Sequence, residues 1–323
     1  MKIMHACLLV TALLPALLAG SLSAQTYPNK PVRIISPYPP GGGNDTLGRI
    51  IGEKMAEGLG QRFIIENKPG ANTIVGTDYL AKSAPDGYTL ILLPSAFVTN
   101  PAFYAKLPYD TVNDFSPVGL VANSPQMMVA HPGTPVQSVK DVVATLKAKP
   151  ESLSYASSGN GSPGHLAGIL FEGMAGVKWT HVGYKGTGPA VADVVAGHVP
   201  MMMSAMIAVL PHVKSGKLKL LAVTTVKRLP IVPDAPTVAE AGVPGYEAGF
   251  WYGMLAPART PEAIIRALNA QIDLALKQND VIDKLASQGV EPYYCTPQAF
   301  SARIKEELPK WMKVITASGV KIE

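Results

Sequence analysis

The sequence contains almost no cysteine, and this excludes the structures that depend on cysteine. Only Cys7 and Cys295 occur among 323 residues, and Cys7 lies in an N-terminal segment that we expect to be removed. The single thiol that remains can form neither an intramolecular disulfide nor a cysteine-based metal cluster. Four histidines also lack the spacing of a metal site: His131, His181, His198 and His212.

Long apolar runs are missing as well. Lys2, an apolar stretch from Ala6 to Ala19 and the small residues that follow form the pattern of a secretory signal peptide, cleaved near Ala24. That stretch is too short to span a bilayer comfortably, and no later run reaches about 20 apolar residues. The sequence therefore predicts a signal peptide over residues 1–24 and an exported, soluble mature protein.

Blocks of like charge are also missing. The formal net charge of +5 is spread along the chain. Nucleic-acid binding typically uses a basic stripe with interleaved aromatic side chains, and the sequence has none. The small positive excess suits an acidic small ligand without requiring one.

Proline and glycine are abundant and separate short periodic segments. Strand-like segments at residues 31–36, 62–67 and 88–93 alternate with helical segments at 46–59 and 72–83. This alternation predicts an α/β fold with a parallel sheet covered on both faces. The pattern resumes after residue 126, and a chain of 323 residues is long enough to form two lobes.

Several local signals mark where helices begin or are interrupted. Ser138, Thr260 and Thr296 are each predicted to cap a helix N-terminus, the last two because proline follows them. Asn100-Pro101 and the prolines after it predict an irregular stretch before the next strand, near residues 118–122.

A glycine-rich loop from Pro37 to Asp45 joins the first strand to the first helix. Free backbone N–H groups at a helix N-terminus attract anions, and glycines allow a ligand to approach the backbone closely. Asp45 is predicted to be the N-cap of this helix, with its carboxylate bound to backbone donors. The loop is either an anion site or a tight connection without a ligand.

A second loop of the same design follows the strand at residues 153–157. Gly159, Gly161 and Gly164 match the dinucleotide pattern G-x-G-x-x-G before a helix. The next strand ends near Tyr184 without an acidic residue to hold a ribose, so a dinucleotide fold is not supported. The helix N-terminus is still predicted to be an anion site.

Ser162 and His165, with Asp193 as a third member, allow a secreted hydrolase as an alternative. The nucleophile elbow G-x-S-x-G is absent, because Asn160 lies two positions before Ser162. Ser162 is better explained as a hydroxyl donor or helix cap.

Several polar side chains have both a structural and a binding interpretation. Lys185 is either an anion contact or a solvated turn residue, and Asp193 either supports its helix or lies beside the site. Ser95 follows a strand at its carboxyl end, where open α/β sheets bind ligands.

Several apolar side chains also have two possible interpretations. Tyr38 and Phe97 follow strand ends and can face a cleft, and Trp251 is either core or hinge packing. The methionines of one apolar run form either core or an adaptable ligand wall: Met201, Met202, Met203 and Met206.

An ordered set of short motifs extends from Tyr27 to the C-terminal region. They lie at residues 27–33, 39–45, 66–71, 84–90, 157–162, 165–168, 184–186, 211–218 and 236–242. In this order they resemble the solute receptors of the tripartite tricarboxylate transporter family, the Bug or TctC type. Each motif is weak alone, but the ordered set is specific.

The resemblance implies a two-lobe periplasmic-binding-protein fold of type II, in which each lobe has a mostly parallel sheet flanked by helices and a ligand cleft lies between them. Lobe 1 would comprise residues 25–122 and 252–323, and lobe 2 residues 123–251. Such a receptor captures a small di- or tricarboxylate or an aromatic acid and delivers it to a membrane permease with a large and a small subunit.

The resemblance also implies a monomer in the periplasm that is not an enzyme and uses neither a cofactor nor a metal. A receptor of the same fold that signals to a membrane kinase is the alternative, and the sequence does not separate the two.

The resemblance implies ligand contacts at the positions that match the family's motifs. Lobe 1 contributes Tyr38, Pro39, Gly41, Gly42, Asn44 and Asp45, with Ser95 as a side wall. Lobe 2 contributes Ser157, Gly159, Ser162, His165, Tyr184, Lys185, Gly186 and Asp193.

The chain departs from the family pattern after Val199, where acidic residues are common. Pro200 and Ser204 stand there instead, separated by methionines. We expect this loss of negative charge to disfavour an amino-acid ammonium group. Two further departures, Asn72-Thr73-Ile74 in place of a glycine-richer turn and Pro40 in the first loop, alter the shape of the site.

Overall fold

The computed structural model describes residues 27–38, 40, 43–184, 187–287 and 289–319. The predicted signal peptide therefore lies outside the described residues. Five of the candidate site residues also lie outside them: Pro39, Gly41, Gly42, Lys185 and Gly186.

The first part of the chain alternates strands and helices as the sequence predicts. Its elements are β1 (Val32–Ser36), α1 (Gly43–Leu59), β2 (Phe63–Asn67), α2 (Ile74–Ala81), β3 (Thr89–Pro94), α3 (Ala96–Phe103) and β4 (Phe115–Ser124).

The middle part repeats the alternation. Its elements are β5 (Gln126–Ala130), α4 (Val139–Ala148), β6 (Ser154–Ser157), α5 (Pro163–Ala175), β7 (Thr180–Gly183), α6 (Thr187–Val195), β8 (Met201–Ala205), α7 (Met206–Lys214) and β9 (Lys219–Val223). The last part contains β10 (Phe250–Pro257), α8 (Glu262–Leu276), α9 (Asn279–Ser287), β11 (Glu291–Pro292) and α10 (Pro297–Ser318).

The strands form two sheets of related design. The first has the order β11-β4-β10-β3-β1-β2, and the second has the order β7-β6-β8-β5-β9. In each sheet, three parallel strands lie beside one strand that is antiparallel to both of its neighbours, β10 in the first sheet and β5 in the second. The predicted α/β architecture with mostly parallel sheets is confirmed.

The antiparallel strands are also where the chain passes between the sheets. β4 belongs to the first sheet and ends at Ser124, and β5 begins the second sheet at Gln126. The return runs from the end of β9 through residues 224–249 to β10. The predicted lobe boundaries, after residues 122 and 251, fall two residues inside β4 and β10.

Helices cover both faces of each sheet. In the first sheet, α2, α3 and α10 pack on one face, and α1, α8 and α9 pack on the other. α10 also contacts α5 of the second sheet, and its Trp311 and Ile315 are buried. The C-terminal helix is therefore shared by the two halves of the molecule.

Several apolar residues whose role the sequence left open belong to the core. Phe97 is fully buried and packs edge-on against Phe115, and Trp251 is fully buried against Phe300. The four methionines are almost completely buried on β8 and at the start of α7: Met201, Met202, Met203 and Met206.

Two of the predicted helix caps are confirmed, and two are wrong. Ser138 and Thr296 each accept a hydrogen bond from the backbone N–H three residues later, at 3.2 Å. Asp45 is not an N-cap, because α1 already begins at Gly43. Thr260 is not an N-cap either, since Pro261 occupies that position and the Thr260 hydroxyl donates to the carbonyl of Pro257.

The predicted irregular stretch from Asn100 onward begins as a helix. α3 includes Asn100 and Pro101, although Pro101 lacks the N–H that a helix interior uses. The Asn100 amide donates to the carbonyl of Asn72 at 2.9 Å and accepts from the Asn72 amide at 2.8 Å. These tertiary bonds hold the helix against the turn at residues 71–73, whose left-handed backbone is unusual for non-glycine residues.

The described residues contain neither a membrane-spanning helix nor a metal-binding cluster of side chains. None of the helices described is long and apolar enough to cross a bilayer. In the same part of the chain, no three His, Cys, Asp or Glu side chains converge as metal ligands would.

Candidate functional site

Asn44 holds the start of α1 against the carboxyl ends of two strands. Its side-chain amide donates to the Ser36 hydroxyl and to the Leu92 carbonyl, both at 3.0 Å. The Leu92 carbonyl can only accept, which fixes the amide orientation. The Asn44 Oδ1 atom is buried and has no hydrogen-bond partner within the described residues. Asn44 is therefore a support of the first loop that retains an unused acceptor.

Asp45 and Asn67 fix the same loop from the outside. The Asp45 carboxylate binds Arg49 one turn along α1 through two contacts, at 3.0 and 3.1 Å. Asn67, the last residue of β2, donates to the Tyr38 carbonyl and to the Asp45 carboxylate at 2.9 Å each. Asp45 is buried, and these bonds give its carboxylate a structural role in the first loop.

Tyr38 and Ser95 lie close to the returning strand β10. Burial, with the nearby Tyr252 phenol, raises the pKa of Tyr38 above its usual range, so this side chain is a neutral hydroxyl. Ser95 is buried and precedes α3, and its backbone N–H donates to the Trp251 carbonyl at 2.9 Å. Both residues lie where the first sheet meets the return crossing.

The Ser157 hydroxyl, at the end of β6, is the centre of the second loop. It receives hydrogen bonds from the Gly159 N–H and the Ser162 hydroxyl, both at 3.2 Å. It also lies 2.7 Å from Nε2 of His181 and 3.1 Å from the Gly159 carbonyl. Ser157 is fully buried, so it organises the loop from within.

Ser162 and His165 begin α5 but do not form a catalytic pair. The Ser162 hydroxyl accepts from the backbone N–H of His165 at 3.3 Å, as an N-cap does. The His165 ring instead accepts at Nδ1 from the Gly161 N–H at 2.9 Å. The serine and the imidazole are therefore both used to close the turn.

The second loop keeps several backbone donors unused. The amides of Gly159, Gly161, Ser162 and His165 are each engaged inside the loop. Within the described residues, no hydrogen bond engages three other amides of the same turn: Ser158, Asn160 and Gly164. Gly164 lies in the first turn of α5, and Ser158 and Asn160 precede that turn; N–H groups near a helix N-terminus, together with the helix dipole, favour an anion.

His165 and His181 are stacked, with ring centroids 3.8 Å apart and planes within 13°. Burial lowers the pKa of His165 to about 3, with a further contribution from His181, and lowers the pKa of His181 to about 4. Both rings are therefore neutral at pH 7. The second loop is organised by neutral donors and acceptors rather than by histidine charge.

Tyr184 follows β7 and lies directly beside the second loop. Its N–H donates to the Ser157 carbonyl at 3.1 Å, and a Cβ on Gly159 would lie 2.8 Å from its carbonyl. Its hydroxyl donates to Asp193 at 2.6 Å. Desolvation and this bond raise the pKa of Tyr184 to about 12. The Tyr184 bond, together with His198, lowers the pKa of Asp193.

The described candidate residues thus fall into two groups, one at each sheet. Tyr38 and Asp45 are joined through Asn67 at the first sheet, and Asn44 is bonded to Ser36 and Leu92 of the same sheet. The second group is joined by hydrogen bonds and close backbone contact at the second sheet: Ser157, Gly159, Ser162, His165, Tyr184 and Asp193. Ser95 follows β3 of the first sheet and, like Tyr38, lies beside β10.

Sequence reasoning missed the supporting roles of Asn67 and His181. Asn67 was noticed only as part of a motif, and its contacts depend on the β1–β2 pairing. Trp179 lies just before β7 and His181 is the second residue of that strand, a spacing of two that places extended side chains on one face. This spacing of two residues is the sequence signal that could have placed His181 beside Trp179.

Comparison with known proteins identifies the family. The sequence profile of the family described as "Tripartite tricarboxylate transporter family receptor" matches residues 47–320. Protein BugT of Bordetella pertussis is 36% identical over 308 residues, which cover 95% of this chain and 94% of that protein.

Three solved structures share the fold over nearly the whole chain. The periplasmic binding protein BugD is 33% identical with a TM-score of 0.75, covering 92% of this chain and 100% of that one. Rpa4515 of R. palustris with adipate is 36% identical with a TM-score of 0.78 and the same coverage. MatC of Rhodopseudomonas palustris with bound malate is 33% identical with a TM-score of 0.73, covering 90% of this chain and 100% of that one.

These likenesses confirm the two-lobe periplasmic-binding-protein fold and exclude the hydrolase alternative, because the family consists of receptors rather than enzymes. The chain belongs to the tripartite tricarboxylate transporter receptor family, the Bug or TctC type of periplasmic solute-binding proteins.

Proposed function

We propose that this protein captures a small carboxylate between its two lobes and presents it to a tripartite tricarboxylate transporter. The ligand class is a di- or tricarboxylate or an aromatic acid. The adipate and malate bound by the two R. palustris relatives support this class.

The observation that carries the proposal is the set of unused amides at the start of α5. Gly164 lies in the first turn of α5, and Ser158 and Asn160 lie in the loop just before it. Their N–H groups have no partner within the described residues, and a carboxylate can accept from such groups. A hydrogen bond to a charged group is worth about 1.5–3 kcal/mol. Two or three such bonds with desolvation correspond to roughly micromolar affinity.

The first loop supplies the second half of the site in this proposal. The predicted contacts there are Tyr38, Pro39, Gly41, Gly42, Asn44 and Asp45, with Ser95 as a side wall. Among them, Asn44 and Asp45 act through the loop that they hold, since the Asn44 amide and the Asp45 carboxylate already bind protein groups. The predicted contacts of the second lobe are Ser157, Gly159, Ser162, His165, Tyr184, Lys185, Gly186 and Asp193.

Ligand capture requires the lobes to move about their two crossings. The sheet boundaries support a division at Pro125 and just before Phe250. A ligand favours closure only through contacts that it makes in the closed state, so it must touch both lobes.

The proposal includes the cellular setting. The mature protein acts as a monomer in the periplasm after cleavage of the signal peptide near Ala24. It delivers its ligand to a permease with a large and a small membrane subunit. The family assignment supports this transport role.

Titration calorimetry of two glycine variants tests the site. Gly159 has a φ of +133°, and a Cβ there would lie 2.8 Å from the Tyr184 carbonyl, so Gly159→Val closes the backbone approach. Gly173, on α5, has no atom within 4 Å of an added Cβ, so Gly173→Val is the matched control.

We expect wild-type protein and the Gly173→Val variant to bind the same acid from a set of adipate, malate and citrate, and the Gly159→Val variant to bind none. Unchanged affinity in a folded Gly159→Val variant would remove the second loop from the site.

A further inference from the structure

Behind the second loop lies a column of ring contacts, two stacked and two tilted, that ends at His165. Consecutive ring centroids lie 5.0, 4.2, 5.0 and 3.8 Å apart. The column runs through Phe171, Trp179, Tyr155, His181 and His165. Because the first three rings belong to the buried core, the column fixes the position of the His181 imidazole.

The strand register directs His181 toward the loop. Tyr155 and His181 are paired between the parallel strands β6 and β7, and Ser157 is paired with Gly183 two residues further on. Nε2 of His181 thereby reaches the Ser157 hydroxyl at 2.7 Å, the shortest of the contacts made by that oxygen.

The donors and acceptors around the Ser157 hydroxyl favour one direction for its hydrogen bond with Nε2 of His181. A hydroxyl oxygen has two lone pairs and one proton. The Gly159 N–H and the Ser162 hydroxyl occupy both lone pairs. The one proton of the hydroxyl can then go either to Nε2 of His181 at 2.7 Å or to the Gly159 carbonyl at 3.1 Å. The shorter contact favours Nε2 of His181 as the acceptor.

We propose that His181 is a positioning residue for ligand binding, neutral with its proton on Nδ1, which orients the Ser157 hydroxyl and thereby fixes the second glycine loop. The inference rests on the proposed carboxylate site, because the loop that His181 fixes carries the unused amides at Ser158, Asn160 and Gly164.

The surroundings of His181 favour its neutral form. The titratable groups that face it are His165 from α5 and Tyr155 from β6. Within the described residues, no carboxylate hydrogen-bonds its ring. Adding a proton at Nε2 would displace the Gly159 or the Ser162 bond and turn the Ser157 proton toward the Gly159 carbonyl.

Three variants separate these contributions. His181→Phe keeps a ring in the column but removes the acceptor, whereas His181→Gln can return an acceptor through its side-chain oxygen. His212→Phe makes the same substitution on α7, where the side chain is partly exposed. Far-UV circular dichroism and thermal melting verify that each variant is folded.

The first readout is the dissociation constant for whichever of adipate, malate and citrate binds the wild-type protein. We expect about tenfold weaker binding in His181→Phe, partial recovery in His181→Gln and no change in His212→Phe. Equal affinity in wild type and His181→Phe would overturn the proposal.

The second readout needs no ligand. Hydrogen exchange at the Gly159 and Gly161 amides should be faster in His181→Phe than in His212→Phe, and imidazole ¹⁵N shifts should show Nε2 of His181 unprotonated at pH 7. Unchanged exchange, or a protonated Nε2, would overturn the positioning role. If the wild-type protein binds no carboxylate while the exchange and ¹⁵N results are as expected, the proposed function is contradicted and the positioning role of His181 is not.

Discussion

Thr224 and Gln126 join the two crossings between the lobes. The Gln126 N–H donates to the Thr224 hydroxyl at 3.2 Å, and the Thr224 N–H donates to the Gln126 carbonyl at 3.0 Å. The same hydroxyl donates to the carbonyl of Ala248 at 3.0 Å, on the return crossing. One buried hydroxyl thus holds both connecting segments together.

Replacing Thr224 by valine removes this hydroxyl while keeping the side-chain shape. Thr224 is fully buried, so the N–H of Gln126 and the carbonyl of Ala248 each lose a partner away from water. We expect Thr224→Val to lower the free energy of unfolding by about 1–3 kcal/mol and Thr224→Ser to lower it less. Urea unfolding followed by circular dichroism measures both, and equal stability of the two variants would show that the hydroxyl does not hold the two segments together.

Glu307 on α10 binds the start of β10 to the C-terminal helix. Its carboxylate accepts from the Trp251 indole N–H at 2.8 Å and from Arg303 at 2.6 Å. In Glu307→Gln, the amide NH₂ must face one of these two donors. We expect a loss of about 2 kcal/mol of stability. Glu306→Gln, at an exposed position on the same helix, should change the unfolding free energy little, and a comparable loss there would contradict this explanation.

Because His165 and His181 are buried in their neutral form, we expect the free energy of unfolding to fall in acid. Burial lowers the folded pKa values of His165 and His181 to about 3 and about 4, below the unfolded value of about 6.5. Below pH 6.5 the unfolded chain therefore binds more protons than the folded one, and stability falls as the pH falls toward 4. Each histidine contributes at most about 1.4 kcal/mol per pH unit.

Urea unfolding at several pH values between 7.5 and 4.5 checks this dependence. His181→Phe should give a shallower decline than wild type over that range, because one of the two buried imidazoles is gone. Parallel curves for the two proteins would show that His181 does not titrate in this way.

Gly43 offers a test of the first loop that leaves the fold intact. It is the first residue of α1, and an added Cβ would meet no atom within 4 Å. We expect Gly43→Leu to weaken carboxylate binding at least tenfold, because the side chain occupies the approach to the helix N-terminus, with little change in melting temperature. Gly173→Leu, in equally open space on α5, should leave binding unchanged. Identical affinities for the two variants would place the ligand elsewhere.

Much of the fold could be predicted because local patterns and tertiary structure agree. The apolar strands and their glycine loops follow local chemistry, as do the caps at Ser138 and Thr296. Asp45 shows where local chemistry fails: it is a good N-cap residue, but Arg49 and Asn67 bind it inside the helix. Only the β1–β2 pairing brings Asn67 to that position.

The missed helices have physical causes as well. α3 contains Asn100-Pro101, a local signal against helix, and persists because Asn72 bonds to Asn100. α7 begins inside the methionine run, where strand and helix share the same apolar composition, so no change of pattern marks its start.

The candidate site was predicted as a set of loops rather than as a set of contacts. Ser157 and His165 were identified from their positions around a glycine loop. Their partner His181 depends on a strand register that no local pattern specifies. For the same reason, the support of the loop could be found only once β6 and β7 were paired.

A thermal-shift screen of the mature protein, stripped of bound ligand, tests the central claim most directly. The panel contains adipate, malate, citrate, aromatic acids and the amino acids aspartate and glutamate. A ligand at about 100 times its dissociation constant stabilises the folded state by about 2.7 kcal/mol. For a protein of this size, each kcal/mol raises the melting temperature by about 2–4 °C or less, so we expect a shift of a few degrees.

We predict that one class of carboxylate raises the melting temperature. The amino acids should raise it less, because Pro200 and Ser204 stand where the family pattern commonly has acidic residues that could hold an ammonium group. The absence of a shift with every acid, after ligand removal has been verified, would contradict the account of this protein as a carboxylate receptor.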